Sequence, residues 1–107
     1  EDVKKAQKFI ENNFQEKITV DELSEKLALS RRSLERRFKK ATSNTINEYI
    51  RRVKIEAAKK SFETSRKNIT EVMLDVGYSD TKAFREIFKK LTGMTPLDYR
   101  NKYNKEI

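Results

Sequence analysis

Apolar residues recur at helical spacing along most of the chain, and residues that favour helix starts precede several of these runs. One face of a helix predicted near residues 2–13 carries Val3, Ala6, Ile10 and Phe14. Thr19 to Glu22 then has the form of a capping box, in which a Thr side chain and a Glu three residues later bind the free N–H groups of a helix start. The helix that it opens places Val20, Leu23 and Leu27 on one face.

The segment Ser30–Lys40, SRRSLERRFKK, predicts a second, strongly basic helix that is capped by Ser30. At 100° per residue its apolar stripe is formed by Leu34, Phe38 and Ala41, which fall within about 60° of one another. The opposite face carries Arg32, Arg36 and Lys39. A short helix, a turn of about three residues and a second helix with a basic outer face are the pattern of a helix-turn-helix.

Residues 43–45 interrupt the helical pattern, and Asn44 is expected to adopt the left-handed conformation that ends many helices. A long helix is predicted to follow, from Ile46 to about Phe62. Its apolar stripe is expected to consist of Ile46, Tyr49, Ile50, Val53 and Ala57.

The second half of the chain repeats the first. Residues 68–71 form a second capping box, 49 positions after residues 19–22, and beyond the next turn the offset becomes 50, so that Phe84 answers Leu34. One extra residue in the second turn, around Ser79 and Asp80, accounts for the change. We therefore predict an all-α fold, a homeodomain-like pair of helix-turn-helix subdomains joined by a long linker helix.

Composition narrows the function. With only two Gly and one Pro, a sandwich or barrel is not expected. The chain has no Cys and no His, which removes disulfides, thiolate or imidazole metal sites and the commonest general base. The acidic residues are explained as helix caps or i,i+4 partners, so we expect no enzyme, no metal and no cofactor.

The net charge of +8 indicates a polyanionic partner. Each apolar stripe has an apparent partner within its own unit, which argues against insertion into a membrane surface. Two helix-turn-helix units instead favour double-stranded DNA, because the second helix of each can enter a major groove and successive grooves lie about 34 Å apart. A non-specific DNA-packaging module and a basic protein-interaction module stay open as alternatives.

On this interpretation residues 1–107 are a single DNA-binding domain, with a first lobe at 1–45, the linker helix at 46–64 and a second lobe at 65–107. The candidate base-reading residues are Arg32, Glu35, Arg36, Thr81, Lys82, Arg85 and Glu86. The candidate phosphate-contacting residues are Thr19, Ser30, Arg31, Lys39, Lys40, Asn68, Lys89 and Lys90.

Two features bear on how much each unit contributes to DNA binding. Residues 31–40 carry a net charge of +5 and the matching residues 80–90 carry +2, so the first unit is expected to dominate affinity. Glu86 is the unexpected member of the second unit. It could accept a hydrogen bond from a cytosine amine, or form surface ion pairs with Lys82 and Lys90 at i±4, which is the simpler expectation.

The chain resembles the DNA-binding domain of the AraC/XylS family of bacterial transcription regulators over nearly its whole length. In the first unit the resemblance is carried by Ser30, Arg32, Leu34, Arg36, Phe38, Lys39 and Tyr49. In the second unit it is carried by Ile69, Glu71, Val72, Gly77–Asp80, Phe84, Phe88–Lys90 and Gly93–Arg100. Three departures from the family pattern are present: Asn44-Thr45-Ile46 stands where Gly-x-Ser/Thr-Pro is usual, Met73 stands where a small residue is usual, and Glu86 stands where Arg is frequent.

The resemblance implies a seven-helix fold with two lobes, which binds asymmetric promoter sites in the bacterial cytoplasm, at the nucleoid. It further implies that the protein activates transcription by contacting RNA polymerase. Family members often carry this domain behind an effector-binding or dimerising domain, so a missing N-terminal domain is expected, and a start at Glu1 rather than Met fits that expectation.

Overall fold

The computed structural model describes residues 1–105, and its regular structure consists of seven helices. They are α1 (Asp2–Asn13), α2 (Val20–Lys26), α3 (Arg31–Thr42), α4 (Ile46–Thr64), α5 (Ile69–Asp75), α6 (Thr81–Thr92) and α7 (Pro96–Tyr103). Residues 1–105 contain no strand. The predicted all-α fold with about seven helices is confirmed. Within the same residues, no helix has both the length and the apolar character needed to cross a membrane.

The two short helices start in the same way. In α2 the Glu22 N–H donates to Thr19 Oγ1 at 3.1 Å, and the Thr19 N–H donates back to Glu22 Oε1 at 3.4 Å. In α5 the corresponding distances between Asn68 and Glu71 are 2.8 and 2.9 Å. Both predicted capping boxes are therefore present, and each satisfies two N–H groups that the helix itself leaves unbonded.

The basic helices α3 and α6 end alike, but not at the residue predicted. Ser43, with φ 64°, adopts the left-handed conformation after α3, and Gly93, with φ 81°, adopts it after α6. The prediction that Asn44 takes this conformation is wrong. Asn44 is instead fixed by Thr42, whose Oγ1 accepts from the Asn44 N–H at 3.1 Å and whose carbonyl accepts from Asn44 Nδ2 at 3.1 Å.

Contacts divide the chain into two compact units, and the division falls inside α4. The first unit contains Glu1–Val53. Its buried core consists of Ala6, Ile10, Val20, Leu23, Leu34, Phe38, Ile46 and Ile50. The Tyr49 and Phe38 rings form a T-shaped contact with their centroids 5.3 Å apart, a favoured aromatic geometry. Ala41, which was predicted to extend this stripe, is exposed, because the buried side of α3 ends one turn earlier, at Phe38.

The second unit contains Lys54–Ile107, of which residues 106 and 107 lie outside the described part. Its buried hydrophobic residues are Ile55, Ala58, Phe62, Val72, Met73, Val76, Phe84, Phe88 and Tyr99. Phe88 lies at the centre of an aromatic cluster, with its ring centroid 5.6 Å from that of Phe62 and 5.5 Å from that of Tyr99. Both rings meet Phe88 nearly at right angles.

Helix α4 contributes to both cores and buries a different face in each. Ile46 and Ile50 are buried in the first unit, whereas Ile55, Ala58 and Phe62 are buried in the second. At 100° per residue, these two groups lie on different sides of the helix. The single stripe predicted to run on to Ala57 is therefore wrong, and Ala57 itself is only partly buried.

The repeat explains this change of face. The first half of α4 corresponds to α7 at an offset of 50, since Thr45 and Thr95 both accept a hydrogen bond, at 3.1 Å, from the N–H three residues later. The second half corresponds to α1 at an offset of 52, since Ala58 and Phe62 occupy the places of Ala6 and Ile10. One helix thus closes the first unit and opens the second.

In each unit, a tyrosine of the last helix forms a hydrogen bond with a glutamate of the first helix. Tyr49 donates its hydroxyl to Glu11 Oε2 at 2.7 Å, and Tyr99 donates to Glu63. Burial, reinforced by the Glu11 carboxylate, raises the pKa of Tyr49 to about 12. Burial and the Glu63 carboxylate likewise raise the pKa of Tyr99 above its ordinary value. Both phenols therefore stay protonated and act as hydrogen-bond donors at neutral pH.

The division into lobes at 1–45 and 65–107 with a separate linker at 46–64 stays a prediction about domain boundaries, and the last two residues of the second lobe lie outside the described residues.

Candidate nucleic-acid interface

Helix α3 is held by one side and exposes the other. Ser30 caps it by accepting from the Ser33 N–H at 3.1 Å, and Leu34 and Phe38 are completely buried. Arg32 and Arg36 stand one turn apart on the opposite side, and both are exposed. The structure therefore fixes the orientation of this helix through its core side and leaves two guanidinium groups in solvent, as the sequence pattern predicted.

Two of the basic residues on α3 are engaged within the first unit. Arg31 Nη1 lies 3.3 Å from Asp21 Oδ1, and Arg31 Nε lies 3.6 Å from Glu35 Oε1. Arg37 Nη1 donates to Asp2 Oδ2 at 2.9 Å, which ties α3 to the start of α1. Arg31 and Glu35 were predicted to contact DNA. Both are already engaged within their own unit, Arg31 through Nη1 and Nε and Glu35 through Oε1.

Lys39 is engaged as well. Its Nζ donates to the Ser43 carbonyl at 3.2 Å and lies 4.0 Å from Glu48 Oε1. The pKa of Glu48 is lowered, chiefly because its carboxylate accepts a hydrogen bond from the Thr45 backbone N–H, and to a smaller extent because of the positive charge of Lys39. Within residues 1–105, the basic side chains of α3 without a hydrogen bond or ion pair are Arg32, Arg36 and Lys40.

Helix α6 repeats this arrangement with different chemistry. Asp80 caps it, accepting from the N–H groups of Lys82 and Ala83 at 3.0 and 3.3 Å, and Phe84 and Phe88 are completely buried. The predicted DNA-contacting residues of this unit are all exposed: Thr81, Lys82, Arg85, Glu86, Lys89 and Lys90. Their side chains form no hydrogen bond or ion pair with any residue of the described chain.

Glu86 differs from the simpler expectation. It was expected to pair with Lys82 and Lys90, but no carboxylate oxygen of Glu86 lies within 4.0 Å of either ammonium group in the described residues. That expectation is wrong. Its counterpart on α3, Glu35, is by contrast held by Arg31.

Internal pairing changes the comparison of the two basic helices. Among residues 1–105, three cations of α3 are unpaired and its one acid is engaged, whereas four cations and one carboxylate of α6 are unpaired. The available charge of the two helices is therefore about equal. The first unit was expected to dominate DNA affinity because the formal net charges are +5 for residues 31–40 and +2 for residues 80–90. These internal contacts offset that difference in charge.

The three capping residues predicted to contact phosphate are exposed, but each already accepts a hydrogen bond from its own helix. They are Thr19, Ser30 and Asn68, which bind the N–H groups of Glu22, Ser33 and Glu71. Their donor groups, two hydroxyls and an amide NH₂, can still donate a hydrogen bond to a phosphate oxygen. Their contacts with DNA stay predictions.

Lys54 supports the second unit in a way that the sequence did not suggest. Its Nζ lies 5.2 Å from the centroid of the Tyr78 ring and donates to the Gly77 carbonyl at 3.5 Å. Burial lowers the pKa of this lysine. These contacts attach α4 to the turn that precedes α6. Nothing in the sequence pattern singles out Lys54, because both partners lie more than 20 positions away.

No group of three or more Asp, Glu, His or Cys residues in residues 1–105 is arranged to hold a metal ion.

Comparison with known proteins identifies a helix-turn-helix domain that occurs in proteins of several kinds, among them transcription regulators. A family model described as "Helix-turn-helix domain" matches residues 23–102. An HTH-type transcriptional regulator of the cgkA 5′ region of Pseudoalteromonas carrageenovora is 36% identical over 95% of this chain and 60% of its own length. The bifunctional transcriptional activator/DNA repair enzyme AdaA of Bacillus subtilis is 37% identical over 86% of this chain and 44% of its own length. The chain thus spans less than two thirds of either relative.

Solved structures give the same result. The C-terminal domain of the two-component response regulator yesN from Fusobacterium nucleatum is 33% identical, with a TM-score of 0.84, and the match covers 91% of this chain and 95% of that one. The DNA-binding domain of AdpA, a global transcriptional factor solved in complex with a target DNA, is 25% identical, with a TM-score of 0.89. That match covers 94% of this chain and 91% of that one.

Proposed function

Because the chain belongs to the AraC/XylS family of helix-turn-helix DNA-binding domains, we propose that α3 and α6 enter successive major grooves of one asymmetric promoter site. The chain is a DNA-binding domain of a transcription regulator. Relatives that combine the domain with an enzyme, such as AdaA, are longer than this chain.

One observation carries the proposal. Each of two basic helices follows a short capped helix and a tight turn, is held through a completely buried apolar side, and presents unpaired cations on the opposite side. That is the geometry by which a recognition helix reaches base edges while its partner helix supports it. Two such helices in one chain remove the need for a palindromic site, which dimeric readers require.

Residue roles follow from position and availability. Arg32 and Arg36 are proposed to read bases, since an unpaired guanidinium can donate two hydrogen bonds to guanine O6 and N7. On α6, Thr81, Lys82 and Arg85 are proposed to do the same, and Glu35 is proposed as a base reader through Oε2, since Arg31 engages its Oε1. The proposed phosphate contacts are Lys40, Lys89 and Lys90, with Arg31, Lys39, Thr19, Ser30 and Asn68 at the margin.

The larger protein is proposed to activate transcription in the bacterial cytoplasm, at the nucleoid, by contacting RNA polymerase. A domain N-terminal to this one is proposed to bind an effector or to dimerise. Two observations support these proposals: the chain belongs to this family, and its relatives are longer. One relative, the transcriptional activator RhaS of Mannheimia succiniciproducens, is 32% identical, and the match covers 35% of its length.

Selection of bound duplexes from a random pool tests the central proposal. We expect a bipartite motif with half-sites about one helical turn apart, and a preference of ~10³ or more for the selected duplex over a scrambled one. Equal binding of both duplexes would instead support non-specific packaging, and no binding to either would favour a protein-interaction module.

Arg36→Ala and Arg37→Ala form a matched pair for the same assay. Both remove one guanidinium from α3, but Arg37 is engaged by Asp2 on the flank of the helix. We expect Arg36→Ala to relax the preference at one position and to cost ~1–3 kcal/mol of binding, while Arg37→Ala leaves the motif unchanged. An unchanged motif for Arg36→Ala would remove this residue from base reading.

A further inference from the structure

Glu86 occupies the outermost part of α6. It follows the buried Phe84 by two positions, which places it about 200° round the helix from the core side. It is exposed and lies between Lys82 and Lys89 on the same face. By the repeat offset of 50 it stands where α3 carries Arg36. A negative charge therefore takes the central position on a face that is otherwise basic.

The structure offers no internal reason for this acid. It does not cap a helix, it forms no ion pair with the lysines four residues away on either side, and it accepts no hydrogen bond within residues 1–105. Three other acids on or next to the two basic helices do have such roles. Asp80 caps α6, Glu35 binds Arg31, and Glu48 accepts from the Thr45 N–H at 2.8 Å.

An unpaired carboxylate in a DNA groove is unfavourable unless a donor meets it, because phosphates repel it and its lost hydration is not replaced. The major groove offers two amine donors, cytosine N4 and adenine N6. Adenine N6 lies beside the N7 acceptor, which would repel the second carboxylate oxygen. Cytosine presents its amine without an adjacent acceptor on the same base, so it is the better match.

We infer that Glu86 is a specificity-determining residue that accepts a hydrogen bond from the N4 amine of one cytosine in the half-site bound by α6. This inference rests on the proposed function, because it requires α6 to lie in a major groove. It also assigns opposite chemistry to the repeat-related positions, with guanine facing Arg36 and cytosine facing Glu86. The two half-sites then differ at equivalent steps, and one chain binds its site in a single orientation.

The experiment is selection from a random duplex pool with four proteins: the wild type, Glu86→Gln, Glu86→Arg and the control Glu25→Gln. Glu25 is an exposed acid on α2 without an ion pair in the described residues, so its replacement makes the same change of charge outside α6. We expect the wild type and the control to select the same motif, with cytosine at one position of one half-site.

The variants should change that one position and no other. Glu86→Gln is expected to shift it to adenine, which matches the donor and acceptor of an amide, and Glu86→Arg to guanine. Relative to the wild type, discrimination for cytosine over each new base should fall by roughly 5- to 150-fold or reverse. A change in folding alone would weaken binding without exchanging one base for another.

The outcomes separate this inference from the function on which it rests. If the wild type selects a bipartite motif and both Glu86 variants select the same motif, the inference is wrong and the proposed function stands. If the wild type selects no motif at all, the proposed function fails, and the inference fails with it. A cytosine preference that Glu86→Gln and Glu25→Gln weaken equally would reduce the role of Glu86 to its charge and would also overturn the inference.

Discussion

Lys39 and Lys89 occupy the same position in the two repeats but differ in their surroundings, which makes them a matched pair for measuring phosphate contacts. Lys39 donates to the Ser43 carbonyl and lies 4.0 Å from Glu48, whereas Lys89 is exposed and its ammonium has no partner in the described residues. We expect Lys89→Ala to weaken binding to all duplexes alike and to reduce their salt dependence, and Lys39→Ala to do so to a smaller extent.

The magnitude follows from counterion release. Each phosphate that a protein cation neutralises contributes about 0.9 to the slope of log K against log salt concentration. Between about 50 and 200 mM salt, a protein that keeps the contact therefore loses about 3.5-fold more affinity than one that lacks it. Lys39 must first leave an exposed ion pair, which is worth about 0–1 kcal/mol. We accordingly expect Lys39→Ala to change the slope by less than half as much.

The assay is fluorescence anisotropy on one labelled duplex over this salt range, for the wild type and both variants, with circular dichroism to verify that all three fold alike. Equal changes of slope for the two variants would show that internal contacts do not reduce the contribution of Lys39. A fall in affinity for Lys89→Ala without a change of slope would refute its assignment to a phosphate, and a loss confined to particular sequences would make Lys89 a base reader.

Three further substitutions test stability. Ser43→Gly should raise the free energy of unfolding by ~0.5–1 kcal/mol, since relief of the left-handed strain exceeds the entropy cost of Gly. Gly93→Ser should lower the free energy of unfolding by a similar amount, and it should cause no steric clash because nothing lies within 4 Å of the new Cβ. Urea unfolding measures both changes, and a stabilising effect of Gly93→Ser would contradict the reasoning. Tyr49→Phe should cost about 0.5–3 kcal/mol at neutral pH through loss of the bond to the Glu11 carboxylate. The raised pKa of Tyr49, about 12 against an ordinary 10.0, contributes stability that is complete below pH 10.0 and is lost as the pH rises towards 12. Urea midpoints at about pH 8 and about pH 11 should therefore differ less for Tyr49→Phe than for the wild type, and an equal difference would rule out this contribution.

Features that depend on neighbours three or four positions away could be predicted from the sequence. The capping boxes at Thr19 and Asn68 require only a side chain and the third residue after it, and both are present. The buried sides of α3 and α6 follow equally from the helical spacing of large apolar residues. Because the two units share these local signals, their duplication was visible without coordinates.

Features that depend on distant partners could not be predicted. Arg37 is removed from the candidate interface by Asp2, 35 positions earlier, so formal charge overestimates what α3 can offer to DNA. The left-handed conformation of Ser43 is not of this kind, because the repeat offset of 50 aligns Ser43 with Gly93 and so gave a signal for it in the sequence. The unpaired state of Glu86 also required coordinates, because its spacing from two lysines suggests the opposite.

The double use of α4 was missed for a different reason. A single offset of 50 aligns Tyr49 with Tyr99, but the opening helix repeats at an offset of 52, which aligns Glu11 with Glu63. Comparison of one offset at a time hides the second correspondence. The signal was available in the sequence, as an Ala, a large apolar residue and a Glu at the same relative positions in α1 and α4.

Helix α4 ends the first unit and begins the second, so the same arrangement could in principle be repeated by a further helix of this kind. After α7 ends at Tyr103, the side-chain NH₂ of Asn104 donates to the carbonyls of Phe62 and Ser65. Its counterpart in the first repeat, Lys54, continues the helix. The two repeats therefore differ at this one point, because the first continues as helix through Lys54 whereas the second leaves the helix at Asn104.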